Sequence, residues 1–273
     1  NIFIPQSIQT MMELERIAQV KRQIISPRFS APIIGIVQDG IVGSYNITQE
    51  DCEIGWKDAM NLISYTTLDS YNNLKKNKVY KGTEVFSEII PNKINMNRKG
   101  VIIKNGKLDN KHGVLKKSCL AAKQSNSLIH LIWDEYGVEE TKYFLDNTQR
   151  LTNNFNIMNG CTVSIGDINT PKEIEINIKK YLETKKLEVN HIITEMENNP
   201  DLMDIDIFEN SLLMDMNRIR DDVVKIIMQN IEKDNNFNIL IASGAKGAEW
   251  NMGAMGGSVG QQAIEGTRVK KRY

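Results

Sequence analysis

The amino-acid sequence predicts an α+β fold, in which a mixed α/β region precedes a long antiparallel helical hairpin and a glycine-rich segment. In the first region, short apolar runs separated by turn signals such as Asn105-Gly106 extend over residues 24–170. Apolar residues at helical spacing then fill about 171–198 and 206–233. Finally, residues 243–266 hold seven of the chain's 18 glycines. Glycine at that density predicts close backbone approach or positive φ angles.

The first elements are a short strand and a helix. The apolar residues Ile2–Ile4 predict a strand, and Ser7 is a good N-cap for the helix after it. That helix places four apolar side chains on one side, namely Ile8, Met11, Leu14 and Ala18. Short apolar runs follow at Ile33–Val37, Val101–Ile103 and Leu128–Trp133, with helix-length stretches at Gln49–Thr66 and Val138–Asn156. The pairing of strands cannot be read from this pattern.

The helical hairpin is the clearest prediction. Thr170-Pro171-Lys172-Glu173 has the pattern of a capping box with proline at the first helical position. This helix should end near Asn198-Asn199-Pro200, and a second should begin near Asp206, with Glu209 three residues later. Each helix of roughly 25 residues would span on the order of 40 Å. The short polar link predicts that the two pack as an antiparallel pair.

Composition excludes several classes of protein. The 273 residues include 34 Lys plus Arg and 34 Asp plus Glu, so the formal net charge is zero. A free nucleic-acid-binding domain is usually basic, so any basic surface must be local and offset elsewhere. The three cysteines and three histidines are scattered, which argues against a disulfide framework or a zinc site. Without an apolar run of about 20 residues or a signal peptide, we expect a soluble intracellular protein.

No motif identifies a catalytic centre. Gly244-Ala245-Lys246-Gly247 lacks the GxxxxGK[ST] spacing of a phosphate-binding loop, although Lys246 could still lie near phosphates. The simpler interpretation is a solvated lysine in a turn. Gln261-Gln262 is interpreted first as plain polar surface. Arg220 lies among acidic residues, which is typical of salt bridges along a solvated helix face. The closing basic residues, from Arg268 onward, fit either a phosphate contact or a frayed tail.

Several blocks in order resemble the largest subunit of cellular and large-virus multisubunit DNA-dependent RNA polymerases. The blocks are Asn1–Ser7, Gln23–Pro27, Pro32–Asp39, Gly43–Thr48, Thr162–Asp167, Ser243–Gly247, and Val259–Gln262 with Glu265-Gly266. They are distributed in order over essentially the whole chain. The resemblance implies a pore region at 1–155 and a funnel region at 156–273, which line the secondary channel. Nucleoside triphosphates reach the active site through this channel, and backtracked RNA 3′ ends leave through it.

The resemblance also assigns residues and chemistry. It places Lys246 near the phosphates of the incoming nucleotide, and Arg220, Gln261, Gln262 and Ala263 along the channel. It implies no catalytic residue here, because the aspartates that hold the catalytic Mg²⁺ ions would lie just before Asn1. We therefore expect the segment to be inactive alone, within a nucleotidyltransferase complex that synthesises RNA from a DNA template. Its ends are interpreted as positions inside a longer protein.

The implied partners are other polymerase subunits, including the second-largest, the nucleoside triphosphate and the RNA 3′ end. A transcript-cleavage elongation factor would dock on the funnel helices, and no membrane is involved. The location would be the nucleus for a cellular enzyme, or the host cytoplasm or virion for a large DNA virus. Two alternatives stay open: a helical-hairpin interaction module unrelated to transcription, and a small nucleotide-binding enzyme whose only support is Lys246 and its glycines.

Overall fold

In a computed structural model, which describes residues 2–67, 74–199, 201 and 204–269, the chain forms two compact units. The first unit comprises Asn1–Cys161 and Ala242–Lys246, and the second comprises Thr162–Ile241 and Gly247–Tyr273. The boundary between Ile241 and Ala242 falls inside a single helix, α9 (Asn236–Ser243). The division at residue 155 implied by the family resemblance concerns functional regions and stays a prediction.

The first unit mixes helices with small antiparallel sheets, which confirms the predicted α+β class. Its α-helices are α1 (Ile8–Glu13), α2 (Asp39–Ile47), α3 (Trp56–Ser64), α4 (Gly82–Ser87), α5 (Lys117–Leu120) and α6 (Leu128–Asn159). Its strands pair as β1 (Ile25–Ser26) with β2 (Ala31–Pro32), β3 (Glu53–Gly55) with β4 (Val79–Lys81), and β6 (Val101–Lys104) with both β5 (Met96–Arg98) and β7 (Lys107–Leu108). A π-helical turn (Leu14–Ala18) and a 3₁₀ helix (Val20–Gln23) follow α1.

At the start of the chain, the predicted helix cap at Ser7 is confirmed and the predicted strand is wrong. Ser7 caps α1, because its Oγ accepts a hydrogen bond from the Thr10 amide at 3.1 Å. The strand predicted at Ile2–Ile4 is wrong, since residues 2–6 adopt neither helix nor strand. A strand is stable only when a neighbour pairs with its backbone. Ile2 is 96% exposed, and no described strand pairs with this segment.

The short apolar runs of the first unit fold in different ways. Val101–Ile103 lies within β6, whereas Leu128–Trp133 forms the beginning of α6. Ser127 decides the second case, because its Oγ accepts from the His130 amide at 3.2 Å and caps the helix. The helical run is interrupted at Gly137, whose φ of 80° lies in the left-handed region.

The core of the first unit is built around α6. This helix packs closely on α2, because a Cβ atom at Gly43 would lie 2.9 Å from Cβ of Thr152. The Asn156 side-chain amide also donates to the Asp39 carbonyl at 2.8 Å, which ties the two helices together. Phe86 and Phe144 are almost completely buried in the apolar cluster beside them.

The second unit is dominated by two long helices. Its elements are a 3₁₀ helix (Ile165–Ile168), α7 (Lys172–Asn198), α8 (Ile205–Asn230), α10 (Glu249–Gly256), and a hairpin of β8 (Ala263–Ile264) and β9 (Thr267–Arg268). The long helices run antiparallel, since the Tyr181 hydroxyl donates to Asp222 at 2.9 Å while Ile174 lines the same small cavity as Ile227. Among the described helices, none is long and apolar enough to cross a bilayer.

The starts of the long helices correct the sequence prediction. Thr170 does not form a capping box, because its hydroxyl donates instead to the Gly256 carbonyl at 2.8 Å. Pro171 occupies the N-cap position of α7 without a side-chain cap. The second helix begins just before the predicted position, where the Asp204 carboxylate accepts from the Asp206 amide at 2.9 Å. Thr170 therefore lies one residue before the N-cap and bonds the distant Gly256 carbonyl.

The glycines of the second unit allow helix α10 to lie against α8. A Cβ atom at Gly253 would lie 2.3 Å from Cγ2 of Val224, and one at Gly257 would lie 2.6 Å from Cγ1 of Val223. Met252, immediately before Gly253, joins the apolar core formed by these helices. The predicted close backbone approach is therefore an approach to a neighbouring helix.

Gly253→Ala should destabilise the chain. The added methyl group would overlap Val224, and overpacking of this kind costs about 1–3 kcal/mol, of which a better helix propensity recovers up to about 1 kcal/mol. Urea unfolding measures the difference. Gly166→Ala is the matched control, since its nearest heavy atom would lie 3.4 Å away. Adding Val224→Ala to Gly253→Ala should recover part of the loss, and equal stability of Gly253→Ala and the parent would contradict this account of the packing.

Tyr181→Phe should lower stability in a pH-dependent way. Hydrogen bonds from Lys225 and from Tyr181 hold the pKa of Asp222 below its usual range. A depressed carboxyl pKa stabilises the fold above the unfolded value, and this contribution is lost as pH falls through the folded value. We expect a loss of about 1 kcal/mol at neutral pH that shrinks in acid.

Burial, and then the bond to Asp222, raises the pKa of Tyr181 to about 12. The hydroxyl therefore stays protonated across neutral pH, and its contribution is lost only as pH rises from about 10 through that value. Tyr65→Phe, at an exposed tyrosine, serves as the control. Thermal unfolding between acid and neutral pH checks the prediction, which a pH-independent difference would contradict.

Candidate functional site

Arg220 supports the loop that follows α10. The aliphatic part of its side chain lies under Gly260, where a Cβ atom would come within 3.0–3.2 Å of Cβ, Cγ and Cδ of Arg220. Gly260 has a φ of 74°, so this position favours glycine for two independent reasons. The guanidinium group bonds the Asp221 carboxylate, at 3.1 Å from Nε and 2.9 Å from Nη2. The predicted salt bridge on a solvated face is confirmed, and the side chain also carries the loop.

Gln261 and Gln262 present their amides at the end of this loop. Gln261 is half-buried and donates to the Gln262 carbonyl at 3.0 Å, while the exposed Gln262 donates to the Val259 carbonyl at 3.4 Å. Ser258 fixes the preceding turn, because its Oγ accepts from the Gly260 amide at 3.2 Å. Local bonds to the backbone therefore hold both glutamines close to the chain.

Ala263 begins the β8–β9 hairpin and pairs with Arg268. The hairpin turns at Glu265-Gly266, with φ angles of 51° and 81°. Arg268 makes a two-pronged ion pair with Glu209 of α8, at 2.8 Å from Nε and 2.7 Å from Nη2. Bonding to Glu209 raises the pKa of Arg268. The hairpin is thus anchored on α8 by a charge-assisted, geometrically specific contact.

This ion pair was missed by reasoning from the sequence. The sequence places Glu209 near the start of the second long helix. It indicates that Arg268 belongs either to a basic patch or to a frayed tail. A separation of 59 residues gives no local signal for the contact. The frayed-tail alternative is wrong for Arg268, whereas Lys270, Lys271 and Arg272 lie outside the described residues.

Lys246 belongs to the first unit, where it ends a firmly placed turn. Gly244 has a φ of 76°, and a Cβ atom there would lie 2.9 Å from Cβ of Lys117. The Ser243 Oγ accepts from the Ala245 amide at 3.3 Å, and Ala245 packs against the apolar core. Lys246 itself is exposed. The structure thus brings Arg220, Gln261, Gln262 and Ala263 into one unit and describes Lys246 in the other.

Two cysteine thiols of the first unit have raised pKa values. Burial raises the pKa of the Cys52 thiol to about 11 and also raises the pKa of Cys119, so both thiols are protonated at neutral pH. The cysteines described, Cys52, Cys119 and Cys161, form no disulfide. Within the described ranges no group of three or more His, Cys, Asp and Glu side chains is placed to hold a metal ion.

Comparison with known proteins finds the same family along most of the chain. Residues 23–168 match the family described as RNA polymerase Rpb1, domain 3, and residues 184–273 match RNA polymerase Rpb1, domain 4. The chain is 35% identical to DNA-directed RNA polymerase subunit 1 of Acanthamoeba polyphaga mimivirus over 276 aligned positions. That alignment includes the entire chain and spans 18% of the length of the viral protein.

Arg268→Gln should loosen the hairpin without unfolding the unit. Loss of this partly buried, two-pronged ion pair should lower the free energy of hairpin opening by about 1 kcal/mol. The hairpin amides should therefore exchange roughly fivefold faster. Amide hydrogen exchange at Ala263, Ile264, Thr267 and Arg268 measures this opening. Arg218→Gln removes the same charge from a side chain that is 78% exposed, and it should leave these amides unchanged. Unchanged exchange in Arg268→Gln would show that the anchor does not restrain the hairpin.

Proposed function

The chain belongs to the Rpb1 family, the largest subunits of DNA-directed RNA polymerase, and from this we propose that it lines the polymerase's secondary channel. The proposal gives residues 1–155 to the pore and 156–273 to the funnel. Nucleoside triphosphates pass this surface inward, and backtracked RNA 3′ ends pass it outward, in a complex that synthesises RNA on a DNA template. No finding favours an interaction module unrelated to transcription.

One observation carries the proposal: a polar loop is held rigidly on a long helix. Gly260 rests on Arg220, and Gln261 and Gln262 bond the backbone beside them. A channel wall must offer polar groups to a passing nucleotide and must not collapse onto it. A loop fixed by helix packing, with the Arg268 anchor at the next hairpin, meets both requirements.

Lys246 is proposed to face the phosphates of the nucleotide. Its turn is fixed by Gly244 against Lys117 and by the Ser243 bond, while the ammonium group is free to point into solvent. A lysine is a compact, mobile point charge, which suits a phosphate group that arrives and departs. The neighbouring glycines leave little steric cover around it.

The proposal assigns the metal chemistry to other parts of the enzyme. Two-metal phosphoryl transfer needs carboxylates that hold Mg²⁺ ions at the reacting oxygens. We propose that this segment is inactive alone and binds no metal.

The partners proposed are the other polymerase subunits, including the second-largest, and a transcript-cleavage elongation factor on α7 and α8. Support comes from the exposed apolar side chains of these helices, among them Ile176, Leu187 and Met214. Ile176 and Leu187 lie on one face of α7, since a separation of 11 residues is close to three helical turns, and an exposed apolar face marks an interaction surface. The location proposed is the nucleus for a cellular enzyme, or the host cytoplasm or virion for a large DNA virus.

Lys246→Gln in the assembled polymerase should raise the apparent KM for nucleoside triphosphates. Loss of one solvent-accessible charge near phosphates is worth about 1 kcal/mol, or roughly fivefold in KM. Initial rates of RNA synthesis over a range of nucleotide concentrations measure the change. Lys172→Gln, on an exposed lysine of the second unit, is the matched control. Unchanged KM and kcat for Lys246→Gln would remove the nucleotide role of this residue.

A further inference from the structure

Charge is strongly segregated along this neutral chain. Residues 91–127 contain nine lysines and arginines against a single acidic residue, Asp109. The cations are Lys93, Arg98, Lys99, Lys104, Lys107, Lys111, Lys116, Lys117 and Lys123. All nine are exposed. The zero net charge of the whole chain therefore conceals a strongly basic segment of the first unit, which is offset by an acidic excess elsewhere.

Asp109 does not neutralise these cations. Its carboxylate accepts from the Lys111 amide at 3.1 Å and from the His112 amide at 2.9 Å, and it contacts the His112 ring at 3.3 Å. It is therefore occupied by the backbone of its own turn. None of the nine cations forms an ion pair with a carboxylate within the part of the chain that the structure describes.

Two of the lysines face each other directly. Lys104 at the end of β6 is the register partner of Lys107 at the start of β7. Side chains at such positions lie about 5 Å apart at Cβ, and like charges there are destabilising. Hydrogen bonds join Gly106 to Ile94 at 2.9 Å and Ile102 to His112 at 2.7 Å. Lys93 and Lys111 therefore lie beside the same hairpin.

We name these four side chains, Lys93, Lys104, Lys107 and Lys111, the basic hairpin surface. Its support is rigid, since the Lys99 ammonium group donates to the carbonyls of Ser118 at 2.9 Å and Ser125 at 2.6 Å. Lys99 thus holds the preceding β5–β6 turn onto helix α5 and the loop before α6. A rigid surface with uncompensated positive charge stores repulsion that an anionic partner would relieve.

The composition of the segment indicates which anion fits. Eight of the nine cations are lysines and residues 91–127 include no aromatic residue. Centres of protein interfaces are depleted in lysine and enriched in aromatic residues, which argues against an acidic protein partner. Binding of single strands uses aromatic side chains for base stacking, which this segment lacks. Lysine contacts to phosphates hold a duplex without reading its sequence.

We propose that the basic hairpin surface binds the sugar-phosphate backbone of duplex DNA, without sequence preference. The surface shares no residue with the named channel residues Lys246, Arg220, Gln261, Gln262 and Ala263, so the inference goes beyond the proposed function and can fail without it. Four lysines that neutralise four phosphates give a slope of roughly −3.6 in log K against log salt.

The test is fluorescence anisotropy of a labelled duplex of about 20 base pairs with the whole chain, between about 50 and 200 mM salt. Lys104→Gln with Lys107→Gln should weaken binding about tenfold at the lower salt and reduce the slope by about 1.8. Lys172→Gln with Lys180→Gln removes two exposed lysines of α7 and should change neither value.

Thermal unfolding keeps the test independent of misfolding. Without DNA, the Lys104→Gln, Lys107→Gln chain should melt no lower than the parent, because the repulsion between the facing lysines is gone. Added duplex should raise the Tm of the parent and of the α7 control, and raise it much less for the hairpin variant.

Three results would overturn the proposal. The first is equal duplex affinity of the hairpin variant and the α7 control. The second is tighter binding of a single-stranded RNA of the same length, which would indicate a strand-binding surface. The third is equal displacement of the duplex by polyglutamate at matched charge, which would indicate an acidic protein partner. A salt slope that falls only in the hairpin variant would support it.

Discussion

The second unit depends on the close contact between the glycine-rich segment and helix α8. Gly253 and Gly257 face Val224 and Val223, at distances that a Cβ atom would not tolerate. This contact places α10, and the loop that leaves α10 reaches Arg220, where Gly260 repeats the same device. A single row of glycines on one segment therefore sets the position of Gln261 and Gln262 beside Arg220. The packing of the glycines on α8 therefore determines where the polar side chains of the loop lie.

The sequence predicts the long helices well because their signal is local. An apolar stripe at helical spacing depends only on neighbouring residues, and the core formed by Ile178, Val223 and Ile227 lies on the predicted stripes. Starts of helices are less certain, since a side chain near the start can bond distant backbone groups as well as the first amides of the helix. Thr170 bonds the Gly256 carbonyl, 86 residues away, and so leaves α7 without a side-chain cap. Short apolar runs are equally ambiguous, as the helical fate of Leu128–Trp133 shows.

The candidate site was reached from the sequence by resemblance and not by chemistry. Residue patterns alone favour ordinary surface for Gln261 and Gln262, and they favour a solvated lysine in a turn over a phosphate contact for Lys246. The contacts that support the site are long-range, such as Arg268 with Glu209 and Gly260 with Arg220. Such contacts produce no periodic pattern in the sequence, because each partner is also typical of its own helix or turn. Arg220 forms a surface salt bridge with Asp221, and its aliphatic stem also supports Gly260.

The basic hairpin surface of the first unit differs in its charge pairing from the long helices of the second unit, and the contrast bears on function. In the second unit Asp221 bonds Arg220, Glu209 bonds Arg268, and Asp222 accepts from both Lys225 and Tyr181. The basic hairpin surface of the first unit has no such partners among the described residues. Surface ion pairs contribute little, but facing lysines cost stability, so selection for folding alone would not maintain them. Facing lysines without acidic partners in the chain are expected where a partner outside the chain supplies the compensating negative charge.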